Sequence, residues 1–493
     1  MKTNNKILQF KSLLWGNKTV KQTIFKNSFW LIFAEGINKV VKLFLLIYIA
    51  KIFGPLEYGK FSFALAFIGL FAIFPNFLSP SIIVREFSGD KEKEKEFSSV
   101  LTFRIIFGIL ALISITIGSF FITHDISVRK LIFILAFYIQ IDSLSDFLSL
   151  FFQARQRMEY QSFSKITKSI LLVGFAFFLI FIDPSIQNLG YGYLLSSILA
   201  MILILFFFHK KIYPISISLN KKIWQRYFSL LWPVALAGFF LSLTAQMDAV
   251  IMGRMNMISQ IGYYSAALKI LAGVFIPLAL LNIVFYPAIN KAFIEGKEKF
   301  QKIWDFQISL MVSLLLPLLV GCIVLAPKII NFIYGGSYSA SILVFQILLF
   351  SGIIVFINKL FSQVLYILNR QNMFLWINLV GAVVNIGLNL FLIPRFGIYG
   401  AAVVNLITFS VIFVITIAIL RKFISISFFD SKFFVTSAIS GLACIVMYFA
   451  ISVPKVYDLH VVFSVFIGMV IYSTIFFISK FFLKNIGLVK EIF

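Results

Sequence analysis

Soft metal ligands are almost missing from this chain: its 493 residues include two cysteines and three histidines. Cys322 and Cys444 lie far apart, each inside an apolar run. They form neither a CxxC site nor a disulfide framework. His124, His209 and His460 are scattered near the ends of apolar segments, which excludes a metal cluster and a catalytic triad. Nothing calls for a cofactor. Charge is scarce as well, at 13% of residues against roughly 25% in soluble domains. The 19 acidic residues place no pair on a long loop, which argues against a polymerase or membrane glycosyltransferase. The expectation is a protein that is not an enzyme.

What the chain has instead is hydrophobicity, at 61% of residues. Apolar runs of roughly 20 residues recur from end to end, the length needed to cross about 30 Å of hydrocarbon. Fourteen are readable, centred near residues 40, 69, 110, 142, 172, 199, 239, 276, 314, 354, 383, 409, 441 and 472. The predicted fold is an all-α integral membrane protein of about 14 helices.

The net charge of +24 has a topological reading. Of 43 Lys and Arg, 30 fall on the ends and loops that share a side with the N-terminus, 8 on the opposite loops and 5 inside spans. Such an excess marks the cytoplasmic side. Both termini are then cytoplasmic, and a nucleic-acid partner is not implied. Residues 1–28 form a basic arm with no signal-peptide pattern. Ile7, Leu8, Leu14 and Trp15 give it either an apolar face for the membrane surface or a solvated course. The run at 90–96 reads as a solvated helix extension.

Two segments repeat 203 residues apart. Lys51 to Ala64 aligns without a gap on Arg254 to Ala267, pairing Gly59 with Gly262, Phe61 with Tyr264 and Ser62 with Ser265. Six spans separate the copies, so both enter the membrane in the same sense, as parallel repeats do. The expected organisation is the arm at 1–28, one six-span lobe at 29–210, a second at 211–425 and a two-span appendage at 426–493. A weaker third echo runs from Phe396 to Ala402. A repeat of membrane spans points to a transporter with its pathway between lobes.

Ionisable groups at membrane depth cost roughly 2.5–3.5 kcal/mol each, so each needs a reason. In span 1, Glu35, Lys39 and Lys42 share one helical face, with Asn38 at its edge. Lys39 stands about 13.5 Å past Trp30, near the midplane. Glu35 and Lys39 have the spacing of an intrahelical pair. Span 4 carries a polar stripe of Tyr138, Asp142, Ser145, Asp146, Ser149 and Gln153. Two carboxylates one turn apart resist joint ionisation. Asp142 and Asp146 are thus candidates for H+ or Na+ coupling, or for interhelical pairing with Lys39 or Lys42. Arg104, Lys269 and Lys359 complete five intramembrane cations, and Asp248 closes span 7 at a shallow, interface-like depth. The five cations suit an anionic ligand such as a pyrophosphate. The candidate substrate-binding set is therefore Lys39, Lys42, Arg104, Lys269 and Lys359. Glu35, Asp142, Asp146 and Asp248 are the candidates for coupling or charge pairing.

Pro233, Asp248, Gly253, the run Gly262 to Ala267 and Pro287, in that order, resemble the central block of a known family. It is the polysaccharide flippases of the multidrug/oligosaccharidyl-lipid/polysaccharide exporter superfamily. Gly54, Pro55, Tyr58 and Gly59 resemble its first block. The later pattern is similar too: Tyr334, Gly335, Gly336 and Tyr338, then Asn369 and Arg370, Asn378, Asn385, Asn389, Pro394, Gly397 and Gly400 to Ala402. The resemblance implies two six-helix lobes in a V around a cavity open alternately to each side. It implies export of a polyprenyl-pyrophosphate-linked oligosaccharide to the outer leaflet of a prokaryotic cytoplasmic membrane, for O-antigen or capsule synthesis. Its partners would be that substrate, membrane lipids and other polysaccharide assembly proteins. A lipid II flippase is a close alternative. A drug/cation antiporter of the same superfamily is more distant, because it needs carboxylates where this chain has cations.

Overall fold

The computed structural model describes residues 20–78, 80–88, 96–211, 217–368, 370, 372–424 and 427–485. The apolar face proposed at Ile7 to Trp15 and the run at 90–95 lie outside the described residues. Among the described residues, fifteen α-helices follow one another. In the first compact unit, Met1–Ile261, they are α1 (Val20–Leu70), α2 (Pro80–Phe87), α3 (Phe97–Ile122), α4 (Ile126–Ala154), α5 (Met158–Ile182), α6 (Ile186–Lys211) and α7 (Lys221–Arg254). In the second, Gly262–Phe493, they are α8 (Ile258–Val274), α9 (Ile276–Glu295), α10 (Lys297–Tyr334), α11 (Ser341–Ile367), α12 (Met373–Leu420), α13 (Ser431–Ser452), α14 (Pro454–Tyr457) and α15 (Val461–Asn485). The boundary between the units falls inside the second copy of the sequence repeat.

Among the described residues, eleven helices are long and apolar enough to cross a membrane. One of them, α12, runs 48 residues and turns at Gly397; α1, of 51 residues, turns at Gly54. Each of these two holds a pair of crossings. Helices α8 and α9 make one crossing interrupted at Phe275, just before Pro277 removes a backbone donor. Counted this way, the described residues provide a helical segment for each of the fourteen apolar runs.

The turns explain the repeat. Gly54 has φ +71° and Gly397 has φ +56°, conformations open to glycine and costly for a residue with a Cβ. Between α7 and α8 the left-handed residue is Asn256, at φ +59°, one position before the Met257 that aligns with Gly54. There Met257 N donates to Met252 O at 2.9 Å and Asn256 N to Gly253 O at 3.0 Å, closing the helix end with a left-handed residue. The turn from α4 to α5 repeats that pattern: Gln156 has φ +55° and Arg157 N donates to Phe152 O at 2.8 Å.

Within the first unit, α4, α5 and α6 pack side by side around buried aromatics, among them Phe97, Phe147, Phe151 and Phe208. Helix α7 packs against α1: Ser242 Oγ donates to the Gly69 carbonyl at 2.8 Å, and the Phe63 ring fills the space beside Gly253. In the second unit, Trp304, Phe361 and Phe428 centre one core. A smaller core joins α13 and α15 to α10, where Tyr472 donates to the Ser313 carbonyl at 2.5 Å and Cys444 is buried.

Candidate functional site

Three helices of the first unit turn polar stripes toward one another. Helix α1 supplies Glu35, Asn38 and Lys42, α4 supplies Asp142 and Asp146, and α5 supplies Ser162, Lys165, Lys168 and Ser169. Spacings of three and four residues hold each set on one face. Glu35 and Lys165 form an ion pair in close contact. Lys168 Nζ lies 2.5 Å from Asp142 Oδ1 and 3.0 Å from Asp146 Oδ1, so one cation serves two carboxylates. Ser169 Oγ donates to Asn38 Oδ1 at 2.8 Å, and Ser162 Oγ donates to the Trp30 carbonyl at 2.9 Å. Nearer the start of both helices, Lys26 and Glu159 make a buried 2.9 Å pair. Lys26 therefore belongs to helix α1, although the sequence reads it as part of the arm.

Lys165 and Lys168 are the functional candidates that sequence reasoning missed. Their Ser- and Lys-rich surroundings read as a cytoplasmic loop. Helix α5 nevertheless starts at Met158, which puts them about 10 and 15 Å along it at ~1.5 Å per residue. The readable signal is the polar spacing of Ser162, Lys165, Lys168 and Ser169 on an otherwise apolar helix. Their presence rearranges the expected pairs. Glu35 pairs across to α5 and not with Lys39 in its own helix, and the aspartates take Lys168 as their direct partner. Lys42 still acts on both aspartates electrostatically. Lys39 is exposed and forms no ion pair among the described residues. The cluster thus sets Lys39, Lys42, Lys165 and Lys168 against Glu35, Asp142 and Asp146.

The remaining candidates stand elsewhere. Arg104 on α3 is buried and donates from Nη2 to the Ser143 carbonyl at 2.8 Å and to Ser143 Oγ at 2.7 Å. Its guanidinium carbon lies 4.7 Å from the centre of the Phe147 ring. Asp248 is buried at 1% exposure, where the sequence suggests a shallow interface position. In the second unit, Lys269 on α8 is half-buried and forms no ion pair among the described residues, while Lys359 on α11 is exposed. Among the described residues no three His, Cys, Asp or Glu side chains are grouped to hold a metal ion.

Several motif residues that carry the sequence resemblance are packing devices. Tyr334 Oη donates to the Ala266 carbonyl at 3.2 Å, and Ser341 Oγ donates to the Tyr263 carbonyl at 2.8 Å. The Tyr334 and Tyr338 rings lie 4.9 Å apart. Asn405 Nδ2 donates to Tyr264 Oη at 3.3 Å, and Asn389 Nδ2 to Asn385 Oδ1 at 3.0 Å inside α12. Gly262 to Ala267 and Tyr334 to Tyr338 therefore fasten α8 to α10 and α11.

The chain is similar to proteins already grouped by sequence. The profile of the family described as polysaccharide biosynthesis protein matches residues 24–293. A probable low-salt glycan biosynthesis flippase of Haloferax volcanii is 25% identical over 243 residues, 49% of this chain and 51% of that protein. A putative O-antigen transporter of Shigella flexneri is 20% identical over 397 residues, 77% of this chain and 94% of that protein. Among solved structures, a lipid II flippase in an inward closed conformation superimposes with a TM-score of 0.74 at 17% identity. That match covers 92% of this chain and 98% of the flippase.

Proposed function

The chain belongs to the polysaccharide biosynthesis protein family, and from that premise we propose that it is a flippase for a polyprenyl-pyrophosphate-linked oligosaccharide. It carries the sugar from the inner to the outer leaflet by alternating access, with both termini in the cytoplasm. The observation that carries the reading is the excess of cation over carboxylate on α1, α4 and α5, with Lys39 outside any ion pair among the described residues. A sugar cannot cross hydrocarbon unaided, because each hydroxyl stripped of its hydrogen bonds costs several kcal/mol. A pyrophosphate is worse, and needs cations in place of water.

In this reading Lys39 and Lys42 meet the pyrophosphate first. Asp142 and Asp146 hold Lys168 in reserve. A proton or Na+ taken up by either aspartate weakens their grip, and Lys168 then turns to the anion. The coupling ion and the substrate are linked through one shared ammonium. Lys269 and Lys359 serve as the cations of the second unit, and Glu35 sets the position of Lys165. The relatives named as a glycan flippase and an O-antigen transporter support the substrate class. A cationic drug fits this charge balance poorly.

The test is transport by the purified protein in liposomes. A fluorescent polyprenyl-pyrophosphoryl disaccharide is placed in the outer leaflet, and its loss from periodate access is followed. Transfer at least 10-fold above empty liposomes is expected. Transfer no faster than in empty liposomes, with the protein folded and inserted, overturns the proposal.

A further inference from the structure

Arg104 stands apart from the lysine cluster, and its surroundings are unbalanced. It lines a cavity of 160 Å³ between α3 and α4, together with Pro75, Gly108, Gln140 and Ser143, the other walls being Ile and Leu. Its charge has no ion-pair partner among the described residues. The contacts it does make are to Ser143 and the Phe147 ring, neither of which carries charge. Its Nε is buried without a hydrogen-bond partner, and so is the amide Nε2 of Gln140 on the same cavity. Burying a cation is costly unless it is paired, and a buried donor left without an acceptor adds to that cost. Two such donors and one such charge converge on a single void.

The chemistry of that ligand follows from the donors. A guanidinium edge beside an amide N–H calls for an acceptor-only, negatively charged group. The void is about ten times the roughly 10–15 Å³ that one water needs, enough for a tetrahedral oxyanion. Its approach is apolar: Ile105 and Ile109 line it and are themselves exposed on α3. Gln140 and Ser143 sit about 160° and 100° around α4 from Asp142 at 100° per residue, and Ser143 about 60° from Asp146. Asp146 acts on Arg104 electrostatically without an ion-pair contact, so the pocket lies beside the lysine cluster while sharing no lining residue with it.

We propose that this cavity binds a phosphate monoanion, held by Arg104 Nε and Gln140 Nε2. Entry past Ile105 and Ile109 favours a phosphodiester borne on a membrane lipid over free phosphate. The inference needs no assumption about what the protein transports.

The experiment uses the full chain, purified in a neutral detergent and examined by native mass spectrometry. The probes are dioctanoyl phosphatidylglycerol, inorganic phosphate and dioctanoylglycerol, which has the chains without the phosphate. Wild type should retain phosphatidylglycerol at a concentration where dioctanoylglycerol leaves no adduct. Arg104→Gln should weaken retention at least 10-fold. Gly108→Leu keeps the arginine and fills the void, since even a Cβ there would lie 2.8 Å from Gln140 Oε1. It should weaken retention as strongly, and it decides the matter if Arg104→Gln fails to fold. Inorganic phosphate bound with the same dependence on both residues upholds the anion site and assigns it to free phosphate. Retention unchanged in Gly108→Leu, or no binding of either phosphate probe by wild type, overturns the proposal and leaves a water-filled void.

Discussion

The Lys168 ammonium on α5 stands 2.5 Å from Asp142 Oδ1 on α4, and the same nitrogen reaches Asp146 Oδ1 at 3.0 Å. Removing it leaves two carboxylates one turn apart, with Lys42 acting on both and Lys165 and Arg104 on Asp146. Breaking a buried pair costs about 3–5 kcal/mol when the surviving charge is stranded. Asp146 keeps 55% of its side chain exposed, so the loss for Lys168→Gln should be nearer about 2 kcal/mol. Thermal unfolding of the detergent-purified protein measures it. Adding Asp142→Asn to that variant should recover at least half of the lost stability. No recovery would mean that Lys168 stabilises through packing alone.

Coupling gives a second expectation. With Asp142 and Asp146 both changed to Asn, Lys168 has no carboxylate to hold it on either side of the membrane cycle. Transport should persist at a reduced rate and lose its response to an imposed proton or sodium gradient. The measurement is initial flipping rate in liposomes with and without each gradient. A variant that keeps the full gradient response removes the pair from the coupling path.

Much of this was legible before any fold was known, and the reasons differ by feature. Apolar runs report membrane helices because hydrocarbon tolerates little else, so the helical segments of the fold could be counted in the sequence. The stripes on span 1 and span 4 were visible because each charge interrupts an apolar run. Lys165 and Lys168 were not, because they fall between the charged residues of the preceding turn, Arg155 and Arg157, and the apolar part of α5. A helix can carry lysines into the membrane when another helix supplies carboxylates, and that partner is a tertiary fact. The Arg104 void was hidden for a related reason. The sequence shows the arginine, but only packing shows that, among the described residues, no carboxylate lies within ion-pair distance of it.

The turns allow a stability test that is independent of transport. A Cβ at φ > 0 costs roughly 1–2 kcal/mol, less for Asn than for Gln, because a short amide tolerates the left-handed region. Gln156→Gly should therefore raise stability by about 0.5–1 kcal/mol, and Asn256→Gly by less. Gly54→Ala should act in the opposite direction, losing about 1–3 kcal/mol at φ +71°. Midpoints of thermal unfolding in one detergent rank the three variants. A destabilised Gln156→Gly would show that its side chain matters more than its backbone.

The lysines of α1 give the sharpest functional test. Lys39 is exposed, and no ion pair ties it down among the described residues, so the fold gains little from its charge. Lys42 acts on Asp142 and Asp146 electrostatically, without a direct contact. Lys165, by contrast, is committed to Glu35. The Lys39→Gln/Lys42→Gln double variant should unfold within a few degrees of wild type, since pairs without direct contact are worth only about 0–1 kcal/mol. Its flipping rate should fall at least 10-fold, because two of the four lysines that outweigh three carboxylates are gone and the site turns net negative. Lys165→Gln should behave oppositely, with a clear loss of stability from the stranded Glu35 and a rate that Glu35→Gln restores. Transport at the wild-type rate by the Lys39→Gln/Lys42→Gln variant would remove both lysines from the substrate path.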